Sequence, residues 1–271
     1  MKITDVQACV IGKSEPHSGG SIWTFVRVYT DEGIVGTGEC NSAGIFTSGF
    51  ATKETVLTLK DLLIGEDPFN IGPLYEKMRR RGRYAGGNSA PFTFALTGIE
   101  NALFDIVGKA LGVPVYKLLG GQFRDRIRLY ADCHAGETNE PAAYAARAQE
   151  VVAEGYSAVK FDVDHKADAK LDRHNWTVGA AEMTHIVDLI AATREGIGYD
   201  VDLAIDCHGQ FDLPSAITLA KAVEDLRLMW LEEPLPAENI DALAQVRAST
   251  STVICTGENH YTRFDFLELL R

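Results

Sequence analysis

The sequence predicts an α/β protein in two parts, an N-terminal α+β domain over residues 1–121 and a C-terminal domain over residues 122–271 built on a parallel sheet. Three observations predict this class. The 271-residue chain is 46% hydrophobic and 24% charged, which is enough to bury one large core or two modest ones. Apolar residues alternate at period two near the N-terminus and then recur at helical spacing. Beyond residue 121, short apolar runs alternate with helical stretches, the pattern of a parallel sheet in a barrel or a doubly wound fold.

The N-terminal elements follow from periodicity and breakers. Two alternating runs, at residues 3–12 and 22–40, contain a turn at residues 31–33 and predict an antiparallel hairpin or meander. Helical spacing then occupies residues 52–65, 71–84 and 97–112. Gly112 and Pro114 should end the last of these helices.

The C-terminal elements alternate in type. The runs that predict strands lie at residues 127–134, 156–164, 201–209, 228–234 and 251–259. The helical stretches lie between them, at residues 142–155, 180–198 and 215–226, and the chain stops inside a further helix. Five strands connected by helices are therefore expected in one sheet.

Ionisable residues stand where four of these strands end: Lys160 and Asp162, Asp206 and His208, Glu232, and Glu258. Asp206, Glu232 and Glu258 are spaced 26 residues apart, a plausible length for one strand-helix unit. Equal spacing predicts equivalent places on consecutive strands, so the three carboxylates should meet at one edge. Because carboxylates repel one another, a hard cation held by oxygen, best Mg²⁺, would stabilise them. The alternative is that such residues cap helices or lie in solvated loops.

Composition excludes other classes of function. The net charge of −12 would repel nucleic acid and anionic membranes, and the short basic run at residues 79–83 does not offset it. Apolar runs are too short for a membrane helix and the N-terminus has no signal core, so we expect a cytoplasmic protein. The five cysteines are widely spaced and without a CxxC pair, which argues against disulfides or zinc.

Four motifs carry a family resemblance. They are LEEP at residues 231–234, TGEN at 256–259, GIENALFDIVGKALGVPVYKLLGG at 98–121, and AIDCHG, which contains Asp206. Together they resemble the mandelate racemase branch of the enolase superfamily. The resemblance covers essentially the whole chain. It implies a modified TIM barrel topped by an α+β capping domain that closes over the substrate. It also implies one Mg²⁺ bound by Asp206, Glu232 and Glu258, with Glu233 on the other face in a structural contact.

The resemblance also implies a chemistry, removal of the proton α to a carboxylate. Many relatives carry Lys-x-Lys at the end of the second barrel strand, but here Asp162 replaces the second lysine, which disfavours a racemase. Asp206-x-His208 is similar to acid-sugar dehydratases of the galactonate and gluconate type. His208 would then be the acid that helps a β-hydroxyl depart, because an imidazole titrates near working pH. The alternative is a structural strand-end histidine.

The remaining candidates would contact the substrate. Lys160 would stabilise the substrate carboxylate, unless it only forms a salt bridge with Asp162. Asp162, His134 and His260 are candidate substrate-binding residues, the two histidines as hydroxyl contacts. Glycine and serine in the loops at residues 13–23 and 41–49 suit a mobile specificity lid and a polyol substrate. The charged insertion at residues 164–179 is expected at the rim of the site, at an oligomer contact, or in solvent.

Five strands are fewer than the eight of a full barrel. We therefore expect either a fragment of a longer protein or a truncated product, since an open five-strand barrel exposes its core. The resemblance implies that the base, a histidine-aspartate dyad, lies beyond Arg271. The parent protein is predicted to convert an aldonic acid to a 2-keto-3-deoxy acid, as a homo-oligomer without nucleic-acid or membrane partners. An epimerase or cycloisomerase of the same scaffold, or a non-catalytic truncated paralogue, are the alternatives.

Overall fold

The computed structural model describes residues 1–17, 20–40, 48–84, 90–136, 138–163 and 177–271. Residues 18–19 of the first predicted specificity loop, residues 41–47 of the second and residues 164–176 of the charged insertion lie outside the described residues. The chain divides into two compact units, Met1–Arg126 and Ile127–Arg271.

The first unit begins with a three-stranded antiparallel sheet in the order β1-β2-β3. Its strands are β1 (Ile3–His17), β2 (Gly20–Thr30) and β3 (Val35–Cys40). The turn between the last two strands lies at residues 31–33, and Gly33 has a φ of +80° there. The predicted meander is confirmed, and glycine permits the left-handed turn.

The described part of this unit also contains the α-helices α1 (Ser48–Leu59), α2 (Ile71–Arg81), α3 (Ala90–Leu111) and α4 (Val115–Leu118) and two short 3-10 helices, Lys60–Leu62 and Gly82–Tyr84. Gly112, at a φ of +68°, follows the last residue of α3, as the sequence predicted. The long helix lies against β3 at two glycines. A Cβ at Gly36 would stand 2.0 Å from the Ala102 carbonyl oxygen, and one at Gly38 would stand 2.0 Å from that of Gly98. Only glycine allows this close approach.

The second unit contains a five-stranded parallel sheet in the order β4-β5-β6-β7-β8. Its strands are β4 (Ala131–Asp132), β5 (Ala158–Asp162), β6 (Asp202–Asp206), β7 (Trp230–Glu232) and β8 (Ile254–Cys255). Each strand is shorter than the apolar run that predicted it. The parallel, barrel-like sheet predicted from the alternating pattern is confirmed, with strands in chain order.

Helices connect the strands: α5 (Pro141–Ala153), α6 (Ala180–Ile197), α7 (Leu213–Ala222) and α8 (Ile240–Ser249). A further helix, α9 (Thr262–Leu269), follows β8. Their starts follow local chemistry. Pro141 occupies the first position of α5, where its missing N–H costs nothing. The Asp212 carboxylate caps α7 by accepting a hydrogen bond from the Ser215 N–H at 2.9 Å.

The core of the second unit lies between sheet and helices. Phe161, Leu203, Ile205 and Leu231 are fully buried strand residues, and Tyr144 of α5 packs on the Phe161 ring at 5.0 Å between centroids. Burial of successive strand residues explains the near-continuous apolar runs. Within the described ranges, no helix is long and apolar enough to cross a membrane.

Candidate active site

The strand register brings acidic side chains to one edge of the parallel sheet. Asp162 is paired with Asp206, and Asp206 with Glu232, so three carboxylates end three neighbouring strands. On the other side, Asp132 of β4 is paired with Lys160. Because all five strands run in parallel, their carboxyl ends lie at the same edge, where ligands bind in α/β sheets.

Lys160 is at the centre of this edge. Its ammonium donates a hydrogen bond to Asp206 Oδ2 at 2.5 Å and to Glu232 Oε2 at 3.2 Å. Asp206 is 1% exposed, and the Lys160 side chain is 12% exposed. Although burial disfavours the charged ammonium, the hydrogen bond and charge of Asp206, followed by those of Glu232, hold the pKa of Lys160 above its ordinary value. Lys160 therefore remains charged between two carboxylates.

Asp162 interacts with two histidines. His134 Nε2 lies 2.8 Å from Asp162 Oδ2, and His208 Nδ1 lies 3.9 Å from the same oxygen. Burial alone would favour the protonated acid, but the hydrogen bond from His134 and the nearby positive charges hold the pKa of Asp162 below its ordinary value. The expected alternative for Lys160, a simple salt bridge with Asp162, is replaced by its ion pairs with Asp206 and Glu232.

His208 faces the same edge from the turn after β6. Its Nε2 is 3.7 Å from Asp206 Oδ2, and its side chain is 41% exposed. Its backbone is left-handed, with a φ of +44°, and its N–H donates to Asp206 Oδ1 at 3.1 Å. A non-glycine residue in this conformation is strained, and such strain concentrates at functional sites.

Glu232 and Glu233 have different partners. Glu232 Oε2 accepts a hydrogen bond from the Trp230 indole N–H at 2.7 Å, in addition to the one from Lys160. Glu233 is 1% exposed, and its Oε1 accepts from Thr256 Oγ1 at 2.6 Å and from the Gly257 N–H at 2.8 Å. Glu232 thus belongs to the lysine cluster, whereas Glu233 holds the turn after β8.

The expectation of three equivalent carboxylates is wrong for Glu258. The residue of β8 paired with Glu232 is Cys255, and Glu258 lies three residues further, beyond the turn at Gly257. The 26-residue spacing does not translate into register because the loops differ in length. The two groups of His, Asp and Glu ligand atoms that approach within 4.8 Å among described residues are Asp132, His134 and Asp162, and Asp162, Asp206 and His208. The predicted triad is in neither group.

The pKa of Glu258 nevertheless depends on the other acids of the site. Partial burial of its carboxyl group, followed by the negative charges of Asp206 and Glu233, raises the pKa of Glu258, even though the residue as a whole is exposed. A bound cation nearby would relieve this repulsion.

His260 lies on a cavity of about 710 Å³ at the same edge of the second unit. His208, Gln210, Glu238 and Asn259 are among the other residues that line it. The His260 Nδ1 atom is buried without a hydrogen-bond partner among the described residues. The cavity is therefore polar and joins two of the histidines expected from the sequence.

Comparison with known proteins identifies the family. Residues 18–120 match the mandelate racemase/muconate lactonizing enzyme N-terminal domain, and residues 143–271 match the domain described as enolase C-terminal domain-like. The structure superimposes on a mandelate racemase/muconate lactonizing enzyme-like protein from Rubrobacter xylanophilus with a TM-score of 0.90 at 43% identity, over 99% of this chain and 69% of that one. The chain belongs to the mandelate racemase/muconate lactonizing enzyme family. The predicted resemblance is confirmed.

Other relatives of this enolase-superfamily chain include named dehydratases. It is 40% identical over 270 residues to a D-xylonate dehydratase of Haloferax volcanii, and 36% identical over 249 residues to a D-galactonate dehydratase of Pectobacterium atrosepticum. These matches cover 99% and 92% of this chain. The chain spans 63% and 61% of the length of those two relatives. An enolase-superfamily member from Salmonella Typhimurium superimposes with a TM-score of 0.88 at 32% identity, over 99% of this chain and 70% of that one.

The donor set of this family member fits a hard divalent cation. Asp206, Glu232 and Glu258 supply carboxylate oxygens, and burial, followed by the negative charges of Asp206 and Glu233, raises the pKa of Glu258. Lys160 supplies the positive charge between the first two acids. Acidic residues at this edge, Asp162 and Asp206 among them, lie close enough together to bind a metal ion.

Two features of the site were not predicted from the sequence. Trp230 contacts Glu232 although it lies within an apolar run, and period two in β7 was the only signal that it shares a face with that acid. A structural contact of Glu233 was expected, but its partner, the turn at Thr256 after another strand, has no local signal in the sequence.

Proposed function

We propose that the whole protein is an Mg²⁺-dependent dehydratase of an aldonic acid, which it converts to the 2-keto-3-deoxy acid. The names of two relatives, D-xylonate and D-galactonate dehydratase, support this reaction and substrate class. The single observation that carries the proposal is the cluster of Lys160, Asp206, Glu232 and His208 at the carboxyl ends of neighbouring strands. We further propose a cytoplasmic homo-oligomer that acts on this small molecule.

Asp206, Glu232 and Glu258 are proposed to hold the Mg²⁺. When bound, the ion would stabilise the negative charge that develops on the substrate carboxylate as the α-proton leaves. Lys160, which is charged and held beside the first two acids, would orient the substrate carboxylate and add a second positive charge.

His208 is proposed as the general acid. The α-proton passes to a separate base. The β C–O bond then breaks while His208 gives its proton to the leaving oxygen, and water departs. The resulting enol tautomerises to the keto acid. The imidazole of His208 is exposed and lies close to Asp206, and the backbone of His208 is strained. These three features suit the role of a general acid.

Asp162, His134 and His260 are proposed to bind substrate hydroxyls. Asp162 accepts from His134 and faces His208, so a hydroxyl at this point would find acceptor and donor groups together. His260 lines the polar cavity with His208. A polyol chain makes many hydrogen bonds and would match such a surface better than an aromatic ring.

A screen of acid sugars tests the proposal. The protein expressed from its complete gene is incubated with Mg²⁺ and D-xylonate, D-galactonate, D-gluconate or D-arabinonate, and keto acid is measured with semicarbazide. We expect turnover of at least one aldonate, abolished by EDTA and restored by Mg²⁺. The matched control is Glu238→Gln, a cavity residue without an assigned role, which should retain turnover.

Other outcomes would identify other functions. Epimerised aldonate without keto acid would place the protein among the epimerases of the superfamily. Absence of any reaction, with folded protein and bound Mg²⁺, would favour a non-catalytic paralogue and would overturn the proposal.

A further inference from the structure

Trp230 is the first residue of β7, two positions before Glu232 and on the same face of the strand. Its indole N–H donates a hydrogen bond to Glu232 Oε2 at 2.7 Å, a length typical of hydrogen bonds to a charged acceptor. The Tyr130 ring meets the indole edge to face, with 5.6 Å between ring centroids. The indole is therefore held in place on one side and fixes a carboxylate on the other.

The hydrogen bond restricts how Glu232 can present its oxygens. A glutamate side chain has three rotatable bonds, and an unsupported carboxylate samples several orientations at an entropic cost to any ligand that fixes one. Trp230 and Lys160 both donate to Oε2, whereas Oε1 accepts no hydrogen bond from any residue in the described part of the chain. One oxygen is anchored and the other is available.

We propose that Trp230 is a positioning residue, which orients the Glu232 carboxylate for a divalent cation. The proposal rests on the proposed function, because it requires that Glu232 binds Mg²⁺. Groups that hydrogen-bond to a metal-binding side chain fix its geometry, and their loss weakens metal binding by roughly 10- to 100-fold in metalloproteins. Lys160 shares the same oxygen, but its flexible stem and its shorter bond to Asp206 make it a poorer anchor for Glu232.

Mg²⁺ titration by calorimetry tests the proposal, first on the wild-type protein and then on Trp230→Phe. Phenylalanine keeps an aromatic ring against Tyr130 but has no N–H. We expect the Kd for Mg²⁺ to rise roughly 10- to 100-fold. Tyr130→Phe is the matched control, because it alters the same aromatic pair while the indole donor stays, and its Kd should remain within about twofold of wild type.

A double-mutant cycle separates positioning from general damage. In a Glu232→Asp background the shorter carboxylate cannot reach the indole, so Trp230→Phe should change the Kd by less than about twofold. If Trp230→Phe does not fold, benzothienylalanine at position 230 replaces only the N–H by sulfur and should give the same weakened binding.

Each result is decisive. Unchanged Mg²⁺ affinity in Trp230→Phe or in the benzothienylalanine protein, with wild type binding normally, would overturn the positioning role alone. Full loss that persists in the Glu232→Asp background would also overturn it, since the effect would not pass through Glu232. Failure of wild type itself to bind Mg²⁺ would overturn the proposed function and this inference with it.

Discussion

Glu232 and Glu233 are neighbours in the chain, but their side chains accept hydrogen bonds from different groups of residues. Glu232 accepts from Trp230 and Lys160, and Glu233 is buried and accepts from Thr256 and the Gly257 N–H. The second oxygen of Glu233 has no partner among the described residues. The backbone of Glu233 is left-handed, with a φ of +39°, so the chain changes direction between the two glutamates.

Amide substitutions should distinguish the two glutamates. Glu233→Gln keeps an oxygen for both donors, so Mg²⁺ affinity should fall by less than about fivefold, whereas Glu232→Gln removes a proposed ligand charge and should weaken binding by at least about tenfold. Calorimetric titration with Mg²⁺ measures both. The reverse order would mean that Glu233, and not Glu232, belongs to the metal site.

The cysteines differ in burial, and their reactivity should follow. Burial raises the pKa of Cys40 and of Cys133 from 9.0 to about 12, which lowers the thiolate fraction at pH 8 about a thousandfold. Cys9 is exposed. Iodoacetamide at pH 8 followed by mass spectrometry should label Cys9 first and leave Cys40 and Cys133 unlabelled until urea is added. Equal labelling of all three in the native protein would contradict the packing described.

At the scale of elements, a buried arginine connects α6 to two strand-entry loops. The Arg194 side chain is 2% exposed, and its guanidinium donates to the carbonyl oxygens of Gly198, Val201, Leu226 and Arg227 at 2.7–3.0 Å. Burial lowers the pKa of Arg194 from its ordinary value, but the group remains charged. It satisfies carbonyl groups before β6 and before β7, so it fixes where both strands begin.

Loss of this guanidinium should destabilise the second unit. Arg194→Met keeps the apolar stem but leaves buried carbonyl oxygens without donors, which should cost about 3 kcal/mol in the free energy of unfolding. Urea unfolding followed by circular dichroism measures the change. Arg147→Met, on an exposed helix face, is the control and should change stability by less than about 0.5 kcal/mol. Similar values for both variants would show that Arg194 is not a structural contact.

The types and order of the helices and strands were predictable from the sequence. Their first and last residues, and the register between strands, were less predictable. Alternation and breakers predicted the meander, the end of α3 at Gly112 and five parallel strands, because these depend on local pattern. The helix α3 begins at Ala90, seven residues before the periodic segment, because its first turns are buried on several sides. Glu258 was misplaced in register because loop lengths between strands carry no periodic signal.

At the scale of the whole molecule, strand ends predicted which residues share the site but not which atoms meet. Parallel strands bring Lys160, Asp206, Glu232 and His208 together at one edge, which follows from topology alone. Whether Lys160 pairs with Asp162 or with Asp206 depends on side-chain rotamers. It pairs with Asp206, while Asp162 forms its ion pair with His134. Such choices are tertiary and leave no trace in sequence spacing.

The proposed dehydration requires two proton transfers, and the proposed site divides them. His208 would serve the departing β-hydroxyl, and a separate base would remove the α-proton. The two steps can be observed separately, because α-proton removal exchanges hydrogen with solvent while C–O cleavage yields keto acid. A variant that blocks only the second step should still exchange.

The most direct test is His208→Asn in the protein expressed from its complete gene, incubated in deuterium oxide with Mg²⁺ and the aldonate that the wild type turns over. We expect keto acid formation to fall by about 10²- to 10⁴-fold while recovered substrate gains deuterium at the α-carbon, measured by NMR. Loss of both exchange and dehydration, with Mg²⁺ and substrate still bound, would make His208 the base and contradict the division of roles. Normal rates of both would make His208 a structural strand-end residue.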